Sequence, residues 1–210
     1  MILNALISAL IMNIIVFSFC SLVAFFISFF SYKTYKLTSE KKYAYFSLGF
    51  LFLSIGMILH AIGNLSFYLG IEKCLRVGCN PSQQFLFLAH LVHIILTFFA
   101  YNIILLIYFK VKEKPLIALA FVEAFLFALI TFDSYLFNVV GIMLTVFIVY
   151  GAYRNYAKDK NKNALLALIA FILIALSHVL FMLNSMMTAY LFLFMGFLSF
   201  LLIFLKKKRK

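Results

Sequence analysis

The chain predicts an all-α integral membrane protein with seven transmembrane helices, and three observations carry that expectation. Hydrophobic residues make up 67% of its 210 positions and charged residues only 11%, with a mean hydropathy of +1.14. A soluble domain carries about 25% charged residues, so lipid must serve as much of this chain's solvent. The apolar residues fall into seven runs, and the basic residues cluster at the ends of those runs. With two prolines and eight glycines, there is no room for a disordered linker or a separate soluble domain. Residues 1–210 therefore read as a single membrane domain.

A net charge of +12 raises the question of a nucleic-acid partner, and its placement argues against one. The cations sit at Lys33, Lys36, Lys41 and Lys42, at Lys73 and Arg76, at Lys110, Lys112 and Lys114, at Arg154, Lys158, Lys160 and Lys162, and at 206–210. Short basic flanks of this kind anchor helix ends against anionic headgroups. The expected partner is the lipid bilayer, with anionic lipid headgroups at the cytoplasmic face. A homo-oligomer or a membrane-complex partner is open, and nucleic acid is not expected.

The first span, about 2–31, is almost unbroken hydrocarbon, with Asn4 and Asn13 as its strongly polar members and Cys20 as a small buried hydrophobe. It lacks a basic n-region and a small-residue cleavage site, so it reads as a retained helix rather than a signal peptide. A polar loop over 36–42 leads to the second span, 43–68, in which Gly49, Gly56 and Gly63 recur every seven residues along one side. Small residues in a row let another helix approach closely. His60 lies within about 40° of that stripe at 100° of turn per residue, so it is expected to face protein, with Asn64 on nearly the same side.

A long loop is expected over 70–84, holding Cys74 and Cys79. On the oxidising side of the membrane their spacing suits a disulfide. The third span, 85–109, carries His90 and His93 on one face, as an i, i+3 pair must. Pro115 opens the fourth, 116–132, at a first-turn position where proline is tolerated. That span contains Glu123, the one acidic residue inside any span. The fifth, 135–150, follows the Asp133-Ser134 turn. The sixth, 163–183, carries His178, and Asn184-Ser185 turns into the seventh, 187–205. The tail, 206–210, is wholly basic.

Sixteen of the eighteen basic residues fall on one side of this arrangement, and only Lys73 and Arg76 on the other. The positive-inside rule then puts the N-terminus outside and the C-terminus in the cytoplasm, with the cell membrane as the expected location. Tyr32, Tyr35, Tyr43, Tyr45, Tyr108, Tyr150, Tyr153 and Tyr156 form an inner aromatic belt on that topology. Tyr32-Lys33-Thr34-Tyr35 also matches Tyr153-Arg154-Asn155-Tyr156 at a shift of 121, which aligns Phe50 with Phe171. The match suggests parallel repeats of three spans joined by the fourth.

That three-plus-one-plus-three plan resembles the layout of the SWEET sugar transporters and, more loosely, of the seven-helix rhodopsins. Pro81 and Pro115 are the only prolines, too few for the transporters' proline tetrad, and no lysine lies between Met187 and Leu205 to hold retinal. Membrane hydrolases of the alkaline ceramidase and progestin-receptor kind are similar in having seven spans and three histidines. This chain departs from them in having no histidine in span seven and no aspartate within a span.

Depth arithmetic supplies the main functional signal. At about 1.5 Å of rise per residue, His60, His90, His93 and His178 all fall in one layer about 10 Å thick in the outer half of the bilayer. Intramembrane histidines that face a bundle mark a pathway, a relay or a ligand. The candidate metal or haem ligands are therefore His60, His90, His93 and His178, for haem b through a bis-histidine pair or for a transition-metal ion. Sensing, electron transfer or ligand binding would follow. A small-solute transporter or channel is the second reading, with Glu123, Asn64 and Asn184 as polar cavity lining. A metal-dependent membrane hydrolase is the third, disfavoured because no general base is identifiable. A structural or assembly subunit is the fourth.

Overall fold

The computed structural model describes residues 2–77, 84–111, 113–131 and 134–206. Among these, seven α-helices and no strands occur: α1 (Ile2–Thr38), α2 (Lys41–Val77), α3 (Gln84–Phe109), α4 (Lys114–Ile130), α5 (Ser134–Asp159), α6 (Lys162–Met182) and α7 (Met186–Lys206). All but α4 are long and apolar enough to cross a membrane, and the protein is a helical, multi-pass membrane protein. With 17 residues, α4 is ~26 Å long, a little short of the ~30 Å hydrocarbon core.

Helix ends differ from the expected spans for a simple reason. Hydropathy marks where lipid contact ends, whereas backbone hydrogen bonding continues through any polar residue that tolerates a helix. Thus α1 runs on to Thr38 and α2 begins at Lys41, leaving a two-residue break in place of a 36–42 loop. The expected 70–84 loop is shorter too, because α2 continues to Val77. Likewise α5 carries Tyr153 to Tyr156 within the helix and stops at Asp159. Four helices end on a non-glycine residue with left-handed backbone, Ser39, Lys110, Lys160 and Asn184. Amides at and after these residues donate to free carbonyls of the last turn, Ser39 N–H to Tyr35 (2.8 Å) and Ser185 N–H to Leu180 (2.9 Å). Cys79 and the disulfide expected between Cys74 and Cys79 lie outside the described residues.

The helices pack as a ring. Sequence neighbours meet in α1–α2, α2–α3, α5–α6 and α6–α7, while α1 against α7 and α3 against α5 close the circle. Outside the ring, α4 lies on α3, with Ala124 and Ala128 buried against a small cluster that includes Ile94, Phe98 and Phe137. One apolar core runs through the ring. At its heart, Phe200 receives Phe50 edge-on from one half (5.2 Å) and Phe171 from the other (4.9 Å). These two are the residues aligned by the 121-residue shift.

Two devices draw α2 against its neighbours. Toward α3 it presents the glycine stripe: a Cβ at Gly63 would come within 2.6 Å of the Ala89 Cβ, and one at Gly56 within 3.3 Å of the His93 ring. Toward α1 it presents serines. Ser21 and Ser54 each donate to the other's carbonyl (2.8 and 3.0 Å), and Ser28 and Ser47 do the same a heptad away (2.8 and 2.9 Å). Hydrogen bonds of this kind between spans contribute on average ~0.6 kcal/mol each. Both devices fix the register of α1, α2 and α3, on which the histidines depend.

Candidate functional site

Six helices send a polar or aromatic side chain to one level inside the ring. His60 comes from α2, on the flank of the glycine stripe, and is 8% exposed; His93 from α3 is 4% exposed. His90, one turn away on α3, is half-buried. Their ring centres lie 4.9 Å (His60–His93), 5.2 Å (His60–His90) and 6.5 Å (His90–His93) apart. His60 and His93 are stacked at 24°. The Phe17 ring from α1 covers both of them, at 4.8 and 5.4 Å.

His178 stands apart from this trio. The Phe137 ring from α5 fills the space between, 5.9 Å from His93 and 5.6 Å from His178. Both nitrogens of His178 are used. Nδ1 is 2.9 Å from the Asn138 carbonyl oxygen, and Nε2 is 3.0 Å from the Tyr101 hydroxyl. An amide oxygen can only accept, so Nδ1 carries the proton and Tyr101 donates to Nε2. Gly141 makes this possible, since a Cβ there would lie 2.8 Å from the imidazole.

The trio is less well satisfied. His93 Nδ1 is 3.4 Å from the Thr97 hydroxyl. Asn13 Nδ2 donates to the Tyr190 hydroxyl at 2.9 Å and reaches His60 Nε2 only at 3.5 Å. Two buried polar atoms then have no partner among the described residues, His60 Nδ1 and Asn13 Oδ1. An unpaired buried polar group costs ~1–3 kcal/mol. One belongs to a ring of the imidazole cluster and the other to its neighbour Asn13.

The remaining candidates separate cleanly. Asn64 is buried beside the cluster, but its amide donates to the His60 carbonyl one turn back (2.8 Å). Glu123 is exposed on α4, which lies on α3 outside the ring. Asn184 is an exposed turn residue with φ 57° between α6 and α7. Nor is a three-ligand metal site assembled: among the described residues, no three His, Cys, Asp or Glu side chains are placed to hold one ion. An open cleft does exist at the other end of the ring, among Phe46, Asn155, Asp159, Asn163 and Phe200, far along the helices from the histidines.

Asn13, Tyr101, Asn138 and Tyr190 belong to the site although spacing does not single them out. The available signal was their position: each is a polar side chain within an apolar run, away from the aromatic belt at the basic ends. Compared with protein-family models, with characterised proteins and with solved structures, the chain matches none.

Proposed function

We propose that this protein is a seven-pass membrane protein that binds a transition-metal ion through fewer than three of the imidazoles in the cluster of His60, His90 and His93, in the manner of a receptor or carrier. The observation behind this reading is the buried Nδ1 of His60, which has no hydrogen-bond partner among the described residues, on a ring whose centre lies 4.9 and 5.2 Å from those of two further imidazoles. Neutral imidazole is the commonest transition-metal ligand, and with the Asn13 amide turned so that its carbonyl meets His60 Nε2–H, Nδ1 would offer an ion a free lone pair. His178 is left out of the set, because its two nitrogens are already engaged.

Haem fits the residues poorly. A bis-histidine centre needs two imidazoles facing one another across the macrocycle. His60 and His93 instead lie on each other, and the gap between His93 and His178 is filled by Phe137. The transporter reading has less support, since Glu123 is exposed on α4 outside the ring and Asn184 is exposed in the turn between α6 and α7. A hydrolase would need a general base beside the metal, and the only span carboxylate lies outside the ring.

Orientation is part of the proposal. With the N-terminus outside, all four histidines sit toward the external leaflet, and His90, half-buried, is the side from which an ion enters. The basic ends then meet anionic headgroups at the cytoplasmic face, where exposed Tyr32, Tyr45, Tyr150 and Tyr153 form a belt.

Elemental analysis and an absorption spectrum of the detergent-purified protein test this reading. The expected result is bound transition metal without a Soret band, lost when His60 and His90 are replaced. A Soret band, or a metal content unaffected by those replacements, would overturn it.

A further inference from the structure

We infer that the cleft at the basic end of the ring binds one phospholipid with a primary ammonium in its headgroup, of the phosphatidylethanolamine kind. The cleft lies away from the histidines, and the inference does not rest on metal binding.

The lining divides as a lipid does. Residues of α2, α5, α6 and α7 and of the turn between α5 and α6 surround a volume of about 260 Å³, near the ~300 Å³ at the lower end of small-ligand pockets. Asn155, Asp159, Asn161 and Asn163 form the polar side, where α5 ends and α6 begins. Phe46, Phe200 and Ile203 form the apolar side. Ala164 and Ala167 complete the wall, and a longer side chain at either would reach into the space.

Depth fits the same division. On α5 the polar side lies beyond exposed Tyr150 and Tyr153, aromatic residues of the kind that mark a membrane interface. Phe200 lies more than a helical turn before Lys206 on α7, toward the hydrocarbon. A ligand seated here has its polar part at the membrane surface and an apolar part pointing inward.

Asp159 selects the headgroup. Its carboxylate lines the cleft at the C-terminal end of α5, where the free carbonyls of the last turn add partial negative charge. Both favour a cation. A primary ammonium brings three N–H donors, enough for this carboxylate and for the amide oxygens of Asn155 and Asn163. A trimethylammonium brings none. Lys158, Lys160 and Lys162 flank Asp159 along the chain and are exposed, so the phosphate of the same headgroup has cationic partners. A glycerol headgroup would give Asp159 nothing positive to meet, and a serine headgroup would set a second carboxylate beside it.

Native mass spectrometry of the delipidated full-length protein tests this. Phosphatidylethanolamine, phosphatidylcholine and phosphatidylglycerol with identical acyl chains are added in turn. One phosphatidylethanolamine per chain is expected to persist, with an affinity about tenfold above either competitor, the worth of one hydrogen bond to a charged group. D159N should abolish that preference, and A167L, which fills the cleft, should abolish the bound lipid. Circular dichroism checks that each variant is helical, and D159N, altered at an exposed side chain, carries the test if A167L does not fold. Equal retention of the three lipids, or a preference unchanged in D159N, would overturn the inference. So would displacement of the lipid by glycerophosphoethanolamine, which would mean a site for a soluble amine. Metal content should be the same in D159N as in wild-type protein, so failure here leaves the histidine reading standing.

Discussion

The imidazoles of His60 and His93 lie 4.9 Å apart and 24° from parallel, although they project from different helices. The glycine stripe of α2 is what permits this. At Gly56 the backbone of α2 comes so near α3 that a methyl group would sit 3.3 Å from His93 Nδ1. Helix approach and imidazole stacking are therefore one constraint, and disturbing either should disturb the other.

Replacing Gly63 by valine is expected to push α2 and α3 apart, since a Cβ at this position already meets Ala89 at 2.6 Å. Overpacking of this kind costs ~1–3 kcal/mol. Thermal unfolding in detergent should show the loss, and metal content should fall with it.

Gly141→Ala tests the second histidine environment separately. The added methyl would displace the His178 ring and break its contacts with Tyr101 and Asn138. A stability loss of ~1–3 kcal/mol is expected, again by thermal unfolding. Metal bound at His60 and His90 should remain, because His178 is not one of its ligands.

The serine pairs invite a double-mutant cycle. Ser21→Ala and Ser54→Ala each remove a hydrogen bond and strand the partner, so the coupling between them should be about 0.6 kcal/mol and at most ~2 kcal/mol. The same cycle run on Ser21 and Ser47, which make no contact with one another, should give additivity.

Glu123→Gln should change neither metal content nor stability by more than ~0.5 kcal/mol, as expected for an exposed substitution away from any network. Loss of the metal in this variant would mean that the carboxylate reaches the ring interior after all.

Proton competition gives a pH signature. Metal binds only the neutral imidazole, so acidification must reduce occupancy, and returning the sample to neutral pH should restore it. Chelation at constant pH should mimic the acid effect.

Much of this architecture was legible in the sequence because its signals are local. A seven-residue glycine spacing puts Gly49, Gly56 and Gly63 on one helix face whatever the rest of the chain does, and His60 beside it is buried as that spacing implies. Depth arithmetic brought His60, His90 and His93 to one level because rise per residue is nearly constant along a helix. Facing is harder to read. Glu123 lies in an apolar run, but only the position of α4 outside the ring leaves its side chain exposed. Asn184 reads as a polar interruption between two spans, and its role is to supply the left-handed residue of a tight turn. Pairs such as Tyr101 with His178, 77 residues apart, leave no periodic trace and emerge only when the ring closes.

X-ray absorption at the edge of the bound metal reads its ligands. In wild-type protein, nitrogen ligands at short distance are expected, with the outer-shell scattering characteristic of imidazole, and that signal should be lost when His60 and His90 are replaced. A ligand shell without imidazole, or one unchanged in the doubly substituted protein, would contradict metal binding by these histidines.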